Sequence, residues 1–146
     1  MPYSPMLVKP MREELTSAGV EELQTPADVD RWMAQREGTA LLIVNSVCGC
    51  AAGAARPGIR AALRGTAQPD RVATVFAGQD VEATAKARAY FADIPPSSPS
   101  MALYKDGELV YFVPRHRIEG RMAEEVAADL QQAFERWCVA ETAASR

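Results

Sequence analysis

The chain has 146 residues, 48% of them hydrophobic and 24% charged, with a net charge of −3. A chain of this length can bury a core without disulfides, three cysteines do not make the framework of a small secreted protein, and an acidic balance does not favour a nucleic-acid surface. Because residues 1–6 lack a signal-peptide pattern and no run reaches the ~18 apolar residues of a membrane span, we expect one cytoplasmic domain over residues 1–146, without nucleic-acid or membrane partners.

Two helices are predicted before the first strand. The first covers about residues 10–18. The second has a well-marked start, because Thr25 can cap its amino end, Pro26 suits the first helical position and Asp28 completes a Thr-x-x-Asp box. We expect this second helix to end at Gly38.

The most hydrophobic run of the sequence is followed directly by two cysteines. Residues 40–47 are apolar at nearly every position, as expected of a strand covered on both faces. The helix after them runs to about Arg64, and Pro57 predicts a kink or a delayed start in it. This order places Cys48 and Cys50 at the amino end of a helix.

A second buried strand and a further helix follow. Residues 72–77 predict the strand, and Asp80 can cap a helix over residues 81–91. In that helix we expect Tyr90 and Phe91 to point inward.

The last part of the chain predicts a hairpin and a long helix. Residues 94–100 contain three prolines and cannot continue a helix. An Asp-Gly turn within residues 105–107 separates the apolar runs 101–104 and 109–113, which is a strong hairpin signal. Apolar residues then recur at helical spacing: Met122, Val126, Leu130, Phe134 and Trp137.

This order of elements predicts an α/β fold. A strand–helix–strand unit followed by an antiparallel hairpin implies a central mixed β-sheet flanked by helices, here with extra helices at the amino end. That is the plan of a thioredoxin-like fold.

The two cysteines indicate redox chemistry. Unpaired N–H groups and the positive end of the helix dipole favour a thiolate over a thiol at a helix start. The thiolate is the nucleophile in thiol–disulfide exchange. A Cys-x-Cys pair can also hold a soft metal ion, although only Cys138 and His116 could supply further thiol or imidazole ligands.

Polar residues flank the cysteines. Asn45, Ser46 and Gly53 are interpreted as turn-forming and helix-capping residues, with Asn45 also a candidate for binding substrate. Arg56 is expected either to present a cation to the thiolate or to a thiol's carboxylate, or to be a solvated helix charge.

The remaining histidine and cysteine are given structural interpretations. His116 is expected to be structural or solvent-facing rather than a proton shuttle. Cys138, on the apolar face of the last helix, is expected to fill the core, with a resolving or regulatory thiol as the alternative.

Several blocks of the sequence together carry a resemblance to known proteins. Residues 99–108 look like the thioredoxin segment in which a cis-proline precedes a strand and a turn. Five blocks are more specific: residues 45–53 (Asn-Ser-Val-Cys-Gly-Cys-Ala-Ala-Gly), 55–57 (Ala-Arg-Pro), 75–80 (Val-Phe-Ala-Gly-Gln-Asp), 96–102 (Pro-Ser-Ser-Pro-Ser-Met-Ala) and 114–120 (Pro-Arg-His-Arg-Ile-Glu-Gly). Together these five blocks resemble the bacilliredoxin family.

The resemblance implies a bacterial, cytoplasmic thiol–disulfide oxidoreductase that removes small-thiol caps, bacillithiol in particular, from protein cysteines. Its partners would be such mixed disulfides and a small-thiol or protein reductant. Independently of the resemblance, we expect no cofactor and, because further ligands are few, no resident metal. The resemblance also implies that Pro99 is a cis-proline, which turns the backbone of Ser98 toward Cys48 to bind an extended client.

Within that chemistry the two cysteines have different expected roles. We expect Cys48 to be the nucleophile, because it lies at the turn between strand and helix. Cys50 is expected to resolve the mixed disulfide, with a second small thiol as the alternative. Their disulfide would close a small ring through Gly49, whose φ/ψ freedom such a ring needs. We expect this disulfide to be strained and readily reduced.

Three alternatives remain open. The protein could be a disulfide isomerase or reductase with protein clients. A different class is a soft-metal-binding protein that uses the Cys-x-Cys pair. A third is a redox sensor, which would turn over no mixed disulfide even when supplied with reductant.

Overall fold

The computed structural model describes residues 2–138. Within that range the chain forms five α-helices and five strands: α1 (Pro5–Thr16), β1 (Glu21–Glu22), α2 (Pro26–Met33), β2 (Thr39–Asn45), α3 (Arg56–Ala62), β3 (Arg71–Phe76), α4 (Val81–Ala89), β4 (Ser100–Lys105), β5 (Glu108–Val113) and α5 (Ala123–Trp137). A π-helical segment, Ala51–Ala55, runs directly into α3, and a short 3₁₀ turn, Arg115–Arg117, follows β5.

The strands form one mixed sheet in the order β1-β3-β2-β4-β5. β3 pairs in parallel with β1 and β2, whereas β4 pairs antiparallel with β2 and β5. Every residue of β2 is buried, because this strand is central and has helices on both faces. The predicted α/β, thioredoxin-like arrangement with a mixed sheet is confirmed. The prediction of two helices before the first strand is wrong, because β1 lies between α1 and α2.

Two hydrophobic cores lie on opposite faces of the sheet. Successive side chains of a strand point to opposite faces, so β2 contributes to both cores. Leu41 and Ile43 pack with residues of α1, α3 and α5. Leu42 and Val44 pack with residues of α2 and α4.

The predicted hairpin is confirmed, and its register matters for the site. Asp106 and Gly107 have φ angles of 51° and 84°, which is the left-handed geometry of a two-residue hairpin turn. Met101 of β4 lies opposite Val113 of β5. The segment before β4 and the segment after β5 are therefore neighbours.

The first helix begins at Pro5, so the predicted start near residue 10 is wrong. Ser4 caps the helix, since its Oγ accepts a hydrogen bond from the Met6 N–H at 3.3 Å and Pro5 occupies the first turn. Pro10 lies inside the helix, where it cannot donate the usual backbone hydrogen bond. Ser4 and Pro5 repeat the pairing of cap and proline that starts the second helix, and they determine the boundary.

Two predictions for α4 are also wrong. Asp80 occupies the N-cap position, but its side chain makes no capping hydrogen bond, because its two carboxylate oxygens accept hydrogen bonds from Arg12 at 2.8 and 3.1 Å. Phe91 is buried as predicted, but Tyr90 is 40% exposed. The Tyr90 hydroxyl donates to Asp30 Oδ1 at 2.6 Å, which explains its outward position.

Candidate active site

The cysteine motif follows the carboxyl end of the central strand. Asn45, the last residue of β2, is buried; its Nδ2 donates to the Met11 carbonyl at 3.3 Å and its Oδ1 accepts from the Ser46 N–H at 2.8 Å. The Cys48 carbonyl then accepts from the Ala51 N–H at 3.1 Å, which starts the helical turn. The predicted position of Cys48 at the amino end of a helix is confirmed, and the interpretation of Asn45 as a turn-forming residue agrees with these contacts.

The two thiols lie in contact. Cys48 Sγ and Cys50 Sγ are 3.1 Å apart, and neither cysteine forms a disulfide. The Ser46 hydroxyl donates to Cys48 Sγ at 3.1 Å and accepts from the Cys48 N–H at 3.2 Å. A disulfide needs a separation of about 2.05 Å, so the sulfurs have to approach by only about 1 Å.

The pKa values of the two thiols move in opposite directions. Partial burial is the largest influence on Cys48 and acts to raise its pKa. Hydrogen bonds from Ser46, from Cys50 and from the Ala51 N–H oppose it, as does the positive charge of Arg115, and together they lower the pKa of Cys48. Burial raises the pKa of Cys50, and the hydrogen bond and charge of Cys48 raise it further. Cys48 is therefore the favoured thiolate.

Arg115 is the cation beside the thiols, and sequence reasoning did not single it out. Its pKa is raised mainly by the negative charges of Cys50 and Cys48. Its Nη1 lies 3.4 Å from the Ser98 carbonyl and its Nε is 3.1 Å from Glu119. The hairpin could have indicated Arg115 as a site residue, because its register places the residues after β5 beside those before β4.

Arg56 is buried and is therefore not a solvated helix charge. It is 2% exposed, and its Nη1 donates to Asn45 Oδ1 at 2.9 Å and to the Ser46 carbonyl at 2.7 Å. Its Nε lies 3.1 Å from Glu14 Oε2 at an angle that makes no hydrogen bond. Arg56 therefore stabilises the backbone that leads into the cysteine motif, because it donates to acceptors of Asn45 and Ser46 at the end of β2.

A cleft opens beside Cys48. The Ser98–Pro99 bond is cis, as the resemblance implied, and Pro99 is buried. The cleft has a volume of about 340 Å³, and both Ser98 and Cys48 line it. Its lining residues are Tyr3, Ser46, Val47, Cys48, Ala77, Gly78, Arg88, Ser98 and Arg115. Arg88, from α4, is a second arginine that the sequence did not single out.

Gly49 lies exposed between the two cysteines. A Cβ added there would meet nothing within 4 Å, and its φ is outside the left-handed region. With both thiols free, nothing therefore requires glycine at this position. The expected need for its φ/ψ freedom applies to the disulfide ring and stays a prediction.

His116 lies outside the cleft of Cys48. It is exposed, as expected, and lines a neighbouring groove of about 410 Å³. Ile94, Pro95 and Pro96 form an apolar part of that groove.

Cys138 lies at the other end of the sheet. It is partly buried against the core, burial raises its pKa, and its thiol hydrogen-bonds to Thr39. Thr39 begins β2, whereas Cys48 follows the end of that strand, and seven residues of strand span roughly 20 Å. The core interpretation agrees with this placement, which does not allow Cys138 to reach Cys48.

Within residues 2–138, no three His, Cys, Asp or Glu side chains are placed to share a metal ion. No helix in the same range is long and apolar enough to cross a membrane.

Residues 3–138 match the family model described as "Disulphide isomerase". A protein of Salinibacter ruber named "Bacilliredoxin" is 57% identical over 140 residues, which covers 94% of this chain and 82% of that one. A Bacillus cereus protein of the same name is 55% identical over 137 residues, covering 93% and 95% of the two chains. A thioredoxin mutant from Halobacterium salinarum matches in fold with a TM-score of 0.56 at 19% identity, covering 82% of this chain and 91% of that one.

Proposed function

We propose that this thiol–disulfide oxidoreductase, which belongs to the bacilliredoxin family, removes small-thiol caps such as bacillithiol from cysteines of cytoplasmic proteins. Cys48 is the nucleophile and Cys50 the resolving thiol. The observation that carries this proposal is the contact between two thiols, 3.1 Å apart, whose pKa values move in opposite directions. One thiol is thus prepared to attack while the other stays protonated.

In the first step, the Cys48 thiolate attacks the cap sulfur of a protein–cap disulfide. A bond forms between Cys48 Sγ and the cap sulfur, and the bond to the client cysteine breaks. The client sulfur leaves with the electron pair as a thiolate and takes a proton from water. The client is reduced, and the cap is now held on Cys48.

In the second step, Cys50 loses its proton to water and attacks Cys48 Sγ. The cap leaves as a free thiolate, and a Cys48–Cys50 disulfide forms. Two equivalents of a small thiol, or one protein dithiol, then reduce that disulfide and are themselves oxidised. In the same scheme, Ser98 binds the client backbone, since it lines the cleft of Cys48.

The test uses Cys50→Ala, which stops the reaction after the first step. We expect this variant, mixed with client proteins capped by bacillithiol or by glutathione, to gain the mass of the cap while the client loses it. Cys48→Ala is the matched control and should gain nothing, whereas Cys50→Ala combined with Cys138→Ala should still gain the cap. Failure to acquire a cap from either client would refute the role of Cys48.

A second candidate activity is disulfide isomerisation of protein clients, which the description of the matching family model favours. A second client, which carries a protein disulfide and no cap, distinguishes the two activities in the Cys50→Ala experiment. A covalent complex with this client indicates that protein disulfides are attacked, whereas a cap transferred to Cys48 from the capped client indicates de-capping.

A further inference from the structure

Arg88 is a half-buried cation in the cleft of Cys48 that lacks a counter-charge. Its Nη2 donates to the Ser97 carbonyl at 3.2 Å, and its Nε is buried without a hydrogen-bond partner. Within residues 2–138, no acidic side chain lies at ion-pair distance from it. Burial lowers its pKa, and no charged neighbour contributes to that shift.

Other sheltered arginines of this chain have fuller sets of partners. Arg12 is paired with Glu22 and Asp80, both at 2.8 Å. Arg56 has two oxygen acceptors and Glu14 nearby. A guanidinium carries five N–H donors, and a cation removed from water is stabilised by an anion. Arg88 therefore has donors that a ligand can use.

The composition of the cleft indicates the charge of that ligand. Two of its nine lining residues are arginines, and none of the nine is acidic. Arg115 is already paired with Glu119 and influences the thiols, so it supplies a positive field, whereas Arg88 has donors to spare. A planar guanidinium can bind a carboxylate through two parallel hydrogen bonds.

We propose that Arg88 binds a carboxylate of the small thiol, so that the enzyme prefers anionic caps to neutral ones. This inference rests on the proposed de-capping function and adds the substrate class to it. The cap sulfur reacts at Cys48, and the carboxylate lies in the same cleft, against Arg88 and in the positive field of Arg115. Arg88 is then a specificity-determining residue.

The test compares two caps that differ in one charge. A client cysteine is capped either with N-acetylcysteine or with its methyl ester, and kcat/KM for cap removal is measured for each. We expect the wild-type enzyme to prefer the acid by about tenfold, the factor that one charge-assisted contact of ~1.4 kcal/mol gives. We expect Arg88→Gln to lower the ratio of the two values most of the way to one, leaving only the weaker preference that the positive field of Arg115 gives.

Arg64→Gln is the control, because Arg64 is exposed, does not line the cleft and carries the same charge. We expect it to keep the wild-type ratio. If Arg88→Gln does not fold, Arg88→Lys should lower the ratio, since a lysine cannot form the two parallel bonds.

Two outcomes overturn the proposal. The first is a wild-type ratio near one. The second is an unchanged ratio in a folded Arg88 variant, which would mean that Arg88 only supports the loop at Ser97. Failure to remove either cap would instead refute the proposed function, so the two failures are distinguishable.

Discussion

Replacing Arg56 tests how the active-site turn is held from below. Arg56 is 2% exposed and donates to both Asn45 Oδ1 and the Ser46 carbonyl. We compare Arg56→Ala, which removes the whole side chain, with Arg56→Met, which keeps most of the apolar stem and removes the guanidinium.

The expected loss of stability follows from the contacts. In Arg56→Met the buried Ser46 carbonyl no longer accepts a hydrogen bond from Arg56, which costs about 1–3 kcal/mol of stability. Asn45 Oδ1 still accepts a hydrogen bond from the Ser46 N–H, so losing Arg56 there costs less. The total is about 2 kcal/mol for Arg56→Met. Arg56→Ala also leaves the space of the buried stem unfilled and should lose about 4 kcal/mol.

The assay is urea unfolding of the reduced protein. With an m-value of about 2 kcal/mol/M, the midpoint should fall by about 1 M for Arg56→Met and about 2 M for Arg56→Ala. The control, Arg64→Ala, removes an exposed arginine and should change stability by less than about 0.5 kcal/mol. A midpoint for Arg56→Met that matches the control would refute the reasoning. So would an unchanged pKa of Cys48, since loosening Ser46 should weaken its hydrogen bond to that thiol and raise the pKa.

Three further outcomes are expected. Arg115→Gln removes a charge that lowers the pKa of Cys48, so this pKa should rise and alkylation of Cys48 at neutral pH should slow. At a pH well above the Cys48 pKa of both wild type and variant, the alkylation rate should stay unchanged. Equal pH profiles of wild type and variant would contradict this. Gly49→Ala should leave the stability of the reduced protein unchanged or higher by up to ~1 kcal/mol, but should disfavour the disulfide in equilibration with a small-thiol buffer; an unchanged equilibrium would remove the need for glycine in the ring. Cys138→Ser should not change cap transfer to Cys48 in the intact-mass experiment, because its thiol lies at Thr39.

Elements with local signals could be predicted from the sequence. The capping box of Thr25 and Asp28 and the Asp-Gly turn at Gly107 are both present as predicted. Each signal depends on residues that are adjacent or nearly so in sequence, and contacts with distant residues do not disturb these local hydrogen bonds and backbone angles. Asp80 shows the opposite case, because a distant arginine, Arg12, takes the carboxylate that would otherwise cap its helix.

The cysteines could be predicted as the site, but the arginines around them could not. Cys48 and Cys50 are marked by their position between a buried strand and a helix. Arg88 comes from α4 and Arg115 from the turn after β5, and only the sheet register brings them to the same cleft. Arg56 is close in sequence to the cysteines, yet its burial depends on acceptors at the end of β2 and on α1. A single arginine in a sequence gives no signal of such contacts.

The opposite pKa shifts of the two thiols provide an order of events for the proposed reaction. Burial raises the pKa of Cys50 most, and Cys48 raises it further through two influences, its hydrogen bond and its negative charge. When Cys48 accepts the cap, its sulfur becomes a neutral disulfide sulfur, and both influences disappear. Arg115 remains and continues to lower the pKa of Cys50. Cys50 therefore becomes a better nucleophile only after Cys48 has been capped. Cys50 thus stays protonated while Cys48 is a free thiolate. Its pKa falls only when Cys48 has accepted the cap, which is the point at which resolution is needed.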